Sequence, residues 1–198
     1  MFSGIIESLG KVEDLQREGS NLHFLISATF ASALKVDQSV AHNGVCLTVT
    51  KIEENHYWVT AVEETLKRSN LGTLIKGDVV NLERCISLNT LLDGHLVQGH
   101  VDTVARCSQV EDREGSWNYF FEYQNPERKK SWITIEKGSI TINGVSLTVV
   151  NSFENGFSVT IIPYAFEHTN FHAIKVGSLV NIEFDVIGKY VAKLMQME

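Results

Sequence analysis

The sequence predicts an all-β protein in which one small sandwich or barrel occurs twice in tandem. Three observations carry that expectation. Blocks of residues recur in the same order at a nearly constant spacing. The apolar stretches are short and rich in β-branched and aromatic residues. Turn signals, above all Asn-Gly dipeptides, separate them.

Taken in order, each half opens alike. Ser3-Gly-Ile-Ile-Glu7 falls on Gln98-Gly-His-Val-Asp102 at an offset of 95, and Lys11 and Arg106 follow at the same spacing. Phe30-Ala-Ser-Ala-Leu34 is a short helical stretch. Beyond it the offset is 100, which an insertion of five residues in the second half explains. Val40-Ala-His-Asn-Gly-Val-Cys-Leu-Thr-Val49 then matches Ile140-Thr-Ile-Asn-Gly-Val-Ser-Leu-Thr-Val149 at six of ten positions. Asn43-Gly44 and Asn143-Gly144 are tight turns, since both residue types tolerate positive φ. Val45 to Ile52 and His56 to Val62 read as strands around a Glu-Glu-Asn turn. Glu63 to Lys67 is a second short helix. Leu66 to Leu71 matches Phe166 to Phe171, and Lys76 to Glu83 matches Val176 to Glu183, with a strand over Asp78 to Glu83.

Two repeats are too few for a solenoid, so each half must close its own core. Asn89 to Gly94 is the crossover. The expected units are residues 1–95, residues 96–186, and a tail over 187–198. The tail, part of a third helical stretch from Val186 to Glu198, has no counterpart after the first half. Val191, Leu194 and Met195 give it one apolar face. Packing on another subunit and folding back on its own barrel are both compatible with that pattern.

Composition narrows the partners. The 198 residues are 43% hydrophobic and 21% charged with only two prolines, as in a folded domain rather than a disordered chain. A net charge of −7 with no basic run argues against nucleic acid and against an anionic membrane. No apolar stretch is long enough to span a bilayer, and the N-terminus lacks the basic start of a signal peptide. Cys46, Cys85 and Cys107 are odd in number and far apart, which suits neither a disulfide framework nor a CxxC metal site. A reducing cytoplasm is the expected setting.

The common catalytic signatures are absent. No GxGxxG, GxxxxGK[ST] or GxSxG occurs. His95 and His100 are five residues apart, which on a strand places them on opposite faces and argues against a shared metal. The informative positions are those where the halves disagree. His100 stands where the first half has Ile5, each after a shared glycine, and Cys46 stands where the second half has Ser146. As single residues, Cys46 reads as a packing residue, Thr48 and Thr148 as ordinary strand threonines, and His100 as a barrel-rim histidine.

Together these residues resemble the riboflavin synthase family of lumazine-binding repeats. The resemblance rests on Met1-Phe-Ser-Gly-Ile-Ile-Glu7, Asn43-Gly-Val-Cys-Leu-Thr-Val49, Glu64-Thr-Leu66, Gly94-His95, Gly99-His-Val-Asp102 and Asn143-Gly-Val-Ser-Leu-Thr-Val149, and it runs the length of the chain. It implies two six-stranded Greek-key barrels, a C-terminal helix that assembles a homotrimer, and a productive pocket between the first barrel of one subunit and the second of its neighbour. It implies 6,7-dimethyl-8-ribityllumazine as substrate and riboflavin as product, with neither cofactor nor metal, and it allows an association with lumazine synthase.

By resemblance, ligand contacts carry over to Gly4, Ile5, Ile6, Cys46, Leu47, Thr48, Thr60, Ala61, Val62, Glu63, Glu64 and Thr65 in the first barrel. In the second they carry over to Gly99, His100, Val101, Lys137, Ser146, Leu147, Thr148, Ile161, Ile162, Pro163, Tyr164, Ala165 and Phe166. Many of these contacts are expected from backbone amides. One lumazine loses a proton from its 7-methyl group, to His100 or to water. The other is attacked at ring carbon 7 by water, by a hydroxyl such as Ser39 or Thr148, or by the Cys46 thiol. Asp185 matches a family carboxylate near the site. Two departures stand out. Pro163-Tyr-Ala-Phe166 replaces the usual Pro-Glu-Thr-Leu, and His42 replaces a small apolar residue. A non-catalytic lumazine antenna and a flavin-dependent reductase domain are the competing expectations. Intact Gly-His and Ser-Leu-Thr matches argue against the first, and the lack of a nucleotide-binding partner domain against the second.

Overall fold

A computed structural model describes residues 1–87, 89, 91–127 and 129–195. Six strands close the first barrel: β1 (Ser8–Glu18), β2 (Asn21–Ser27), β3 (Ser39–His42), β4 (Val45–Glu53), β5 (His56–Ala61) and β6 (Val79–Arg84). Six more close the second: β7 (Thr103–Asp112), β8 (Trp117–Tyr123), β9 (Ser139–Ile142), β10 (Val145–Phe153), β11 (Gly156–Ile161) and β12 (Leu179–Phe184). All pairs are antiparallel. The neighbour orders, β1-β2-β5-β4-β3-β6 and β7-β8-β11-β10-β9-β12, are the same path run twice. Because β5 returns to lie beside β2 after the β3-β4-β5 meander, each barrel is a Greek key.

Closing so few strands requires sharp local twist, and β-bulges supply it. They fall at equivalent places in both barrels: Val12/Asp14 and Cys107/Gln109, then Val49/Lys51 and Val149/Asn151. Alternation along the strands fills two separate cores. Val12, Phe24, Ile26, Val49, Val59 and Leu82 lie in the first, and Cys107, Tyr119, Phe121, Val149, Phe157 and Phe184 in the second. The first core also encloses His42, 2% exposed, whose Nε2 lies 2.8 Å from the Tyr57 hydroxyl. Ile142 and Phe157 hold the equivalent positions in the second, so the same space is filled once by a polar pair and once by an apolar one.

The helices correct the expectation of three. α1 (Glu63–Arg68), a 3-10 turn at Ala31–Ala33 and α3 (Val186–Leu194) lie where the pattern places helical residues. A further α-helix, α2 (Pro163–His168), repeats α1 in the second half, and 3-10 turns at Asn70–Thr73 and Asn170–Ala173 follow the two. The aromatic, β-prone composition of α2 conceals it, although Pro at the first position of a helix costs no hydrogen bond. Of the expected tail helix, residues 196–198 lie outside the described residues, as does Thr90 of the crossover. Asp185 caps α3 by accepting the Ile187 N–H at 2.9 Å, and Lys189 ties the helix to Asp102 at 2.6 Å. Val191, Leu194 and Met195 remain 50%, 65% and 76% exposed, so their own barrel does not cover that face.

The barrels join through their equivalent parts. Phe2 and Val97, both buried, exchange backbone hydrogen bonds of 2.8 and 3.1 Å. Gly44 and Gly144 pack so closely that a Cβ on either would approach the other's backbone nitrogen within 2.8 Å. Around this contact six buried asparagines form one network: Asn43 and Asn143, Asn70 and Asn170, Asn81 and Asn181. Each pair is separated by 100 residues, which gives the network an approximate twofold symmetry.

Candidate ligand-binding site

On β4, Val45, Leu47 and Val49 turn inward and Cys46 and Thr48 turn out. On β10, Val145 and Val149 turn inward and Ser146 and Thr148 turn out. Period-two alternation therefore places each of these polar pairs on an outer barrel face. Ser39 lies opposite Thr48 in the β3–β4 register, and Ser139 opposite Thr148.

Over each face runs a segment from the other half. The Gly99 carbonyl accepts the Cys46 N–H at 2.8 Å, and the Gly4 carbonyl accepts the Ser146 N–H at 2.7 Å. Both glycines have φ near +76 to +79°. An added Cβ would stand 2.6 Å from the Cβ of Cys46 or Ser146, so only glycine permits this approach. Val101 packs against the first core and Ile6 against the second. The structure thus exchanges the grouping carried over from the sequence. Gly4, Ile5 and Ile6 belong with Ser146 and Thr148, whereas Gly99, His100 and Val101 belong with Cys46, Thr48 and Ser39.

Two buried carboxylates hold the crossing segments. Glu83 accepts the Ser3 N–H and hydroxyl, both at 2.7 Å, and the Gly4 N–H at 3.0 Å. Glu183 accepts the N–H groups of Gln98 at 2.6 Å, Gly99 at 2.9 Å and His100 at 2.8 Å. Burial raises the pKa of both, that of Glu183 to about 7, against the opposing pull of these donors.

His95 also lies at the second face. Its Nδ1 is 2.7 Å from the Ser146 hydroxyl and its Nε2 3.0 Å from that of Thr141. Burial lowers its pKa, partly offset by Asp185. Neither His95 nor His100 lies on a strand, contrary to the premise of opposite faces, yet they do serve different faces. Among the described residues no three His, Cys, Asp or Glu side chains cluster as a metal group.

The remaining carried-over residues divide by orientation. Ala61 and Ile161 are fully buried in the cores, and Leu47 nearly so, leaving only their backbones for a ligand. Val62, Ile162 and Tyr164 are more than half exposed. Thr60 points outward and bonds His23 at 2.8 Å. Lys137 is exposed at φ +64°, donating its N–H to the carbonyl of Val149, the residue after Thr148. α1 carries the ion pairs Glu63–Lys67 and Glu64–Arg68. At the equivalent places α2 has a Tyr164–His168 ring stack, with Trp117 and Phe166 stacked at 3.8 Å beside it.

The profile of the lumazine-binding domain matches the chain twice, over residues 3–85 and 98–185. The chain belongs to the lumazine-binding domain family. Among its relatives are the riboflavin synthases of Actinobacillus pleuropneumoniae, 38% identical, and Bacillus subtilis, 37% identical. Each match covers 98% of this chain and 90% of the relative. That of Schizosaccharomyces pombe is 36% identical over 99% of this chain and 94% of its own. This lumazine-binding protein is accordingly a transferase of the riboflavin synthase family. Among solved structures, LumP complexed with 6,7-dimethyl-8-(1'-D-ribityl) lumazine superposes with a TM-score of 0.82 at 20% identity, covering 92% of this chain and 98% of that one. LumP complexed with riboflavin gives 0.84 at 21% identity, covering 93% and 99%. These two likenesses speak for the fold.

The residues that sequence reasoning missed in this family member are Glu83, Glu183 and His95. Alternation hid the carboxylates: it turns Leu82, Ile182 and Phe184 into the cores and Glu83 and Glu183 to the opposite strand face, where the crossing segments bury them.

Proposed function

We propose that the chain catalyses the dismutation of two 6,7-dimethyl-8-ribityllumazine molecules. A four-carbon unit passes from one to the other, giving riboflavin and 5-amino-6-(D-ribitylamino)uracil, the last step of riboflavin biosynthesis. The observation that carries this reading is the pair of equivalent outer faces whose chemistry differs. Cys46, on one strand face with Thr48, lies against Gly99, which His100 follows, and Ser146, on one face with Thr148, lies against Gly4, which Ile5 follows. Two copies of one heterocycle fit two copies of one pocket, and the differing residues separate donor from acceptor. His100 takes the 7-methyl proton of one lumazine. Water, Ser39, Thr148 or Cys46 adds to carbon 7 of the other. Holding the two rings together contributes about 7–11 kcal/mol of the barrier reduction.

Since the two faces belong to different barrels, the pockets meet productively when the first barrel of one subunit opposes the second barrel of another. A homotrimer joined through α3 supplies that arrangement. The uncovered face of Val191, Leu194 and Met195, beside a cavity of about 910 Å³ edged by Trp132, Ile133 and Ile135, supports it. Incubating the purified protein with the lumazine and following riboflavin absorbance tests the activity. Tight binding without riboflavin formation would instead mark an antenna protein.

A further inference from the structure

Glu83 and Glu183 are 5% and 2% exposed, and each accepts three hydrogen bonds from the segment that leaves its own half for the other barrel. Among the described residues no cation pairs directly with either. Lys189, the charge that acts on Glu183, is bonded to Asp102. Holding a chain segment in place does not by itself demand a buried carboxylate, because apolar side chains of similar volume often stabilise as well or better. What a carboxylate adds is direction. Two oxygens gather successive N–H groups and fix the backbone path, including glycines at positive φ. The path so fixed ends at the pocket of the opposite barrel. Gly99, held by Glu183, reaches Cys46, and Gly4, held by Glu83, reaches Ser146.

We propose that Glu83 and Glu183 are positioning residues acting crosswise. Glu183 of the second barrel sets the pocket of the first by holding Gly99 and His100 over Cys46. Glu83 of the first barrel sets the pocket of the second by holding Gly4 and Ile5 over Ser146. The proposal rests on the reading that both pockets hold a lumazine, and it adds that each pocket is governed from the other half.

A trifluoromethyl lumazine analogue bound to the full-length protein and followed by ¹⁹F NMR distinguishes the pockets. Cys46→Ser and Ser146→Cys assign the resonances. Glu183→Gln keeps volume and one acceptor oxygen but turns an amide donor toward the N–H cluster. It is expected to weaken the first-barrel resonance about tenfold or more, leave the second within about twofold, and lower turnover about tenfold or more. Glu83→Gln is expected to do the reverse to the two resonances. If Glu183→Gln does not fold, Glu183→Asp tests the same point with the charge kept and the reach shortened; a weakened first-barrel resonance with the second within about twofold is again expected. Loss confined to the mutated barrel's own pocket, equal loss of both, or unchanged resonances overturns the proposal. Wild-type protein showing no bound resonance at all would sink the lumazine reading itself, and this inference with it.

Discussion

The buried His42–Tyr57 pair sets a pH dependence of stability that belongs to the first barrel alone. Both histidine nitrogens are used. Nδ1 lies 3.1 Å from the Val40 carbonyl, to which it donates, so Nε2 accepts the Tyr57 O–H at 2.8 Å. Burial lowers the His42 pKa to about 4, against the smaller opposing pull of the Val40 and Val45 backbone. In the unfolded chain the ring titrates near 6.5. Between these values the unfolded state holds a proton that the folded state refuses. The pair's contribution to stability is therefore whole above about pH 6.5 and declines as pH falls toward 4, by about 1.4 kcal/mol per unit and about 3 kcal/mol in all. The second barrel supplies the control, since Ile142 and Phe157 fill the same places. The double variant His42→Ile/Tyr57→Phe replaces both polar partners and is expected within about 1 kcal/mol of wild type at pH 7.5. At pH 5 it should be more stable than wild type by about 2 kcal/mol. Tyr57→Phe alone strands the imidazole acceptor and should cost about 1–3 kcal/mol. Urea unfolding read through Trp58, the one tryptophan of the first half, measures these differences. Parallel pH profiles for wild type and double variant would refute a neutral, buried His42.

Three further outcomes are expected. His100→Ala should lower riboflavin formation about 10²-fold or more while changing lumazine affinity much less; unchanged turnover would remove His100 from proton transfer. Asn181→Leu strands the Asn43 carbonyl and the Asn70 amide oxygen and N–H at the barrel junction, and should cost at least about 3 kcal/mol in urea unfolding; a loss under about 1 kcal/mol would show the network to be dispensable. Val191→Glu places a charge in the exposed face of α3 and should yield a folded monomer by sedimentation, with turnover reduced at least about tenfold; full activity in a monomer would refute the intersubunit pocket.

Much of this was legible in the residues alone. The repeat at offsets of 95 and 100 announced two equivalent all-β units, because a duplicated sequence meets the same packing problem twice. Asn43-Gly44 and Asn143-Gly144 marked their hairpins, whereas Cys46, read from the sequence as a packing residue, turns out of the core. The family was legible in the same motifs. α2 was not, since six residues opening on proline and carrying two aromatics present no helical period.

Only the tertiary structure decided which residues share a pocket. Linear order groups Gly4 with Cys46 and Gly99 with Ser146, but residues 1–7 and 94–102 cross the junction and exchange partners. That exchange is driven by hydrogen bonds from Ser3, Gly4, Gln98, Gly99 and His100 to two carboxylates some eighty residues away. The six asparagines were equally opaque, each an ordinary polar residue until the barrels met. Local pattern determines where a side chain points relative to its own strand. Which distant backbone comes to meet it depends on satisfying buried donors and acceptors throughout the whole fold at once.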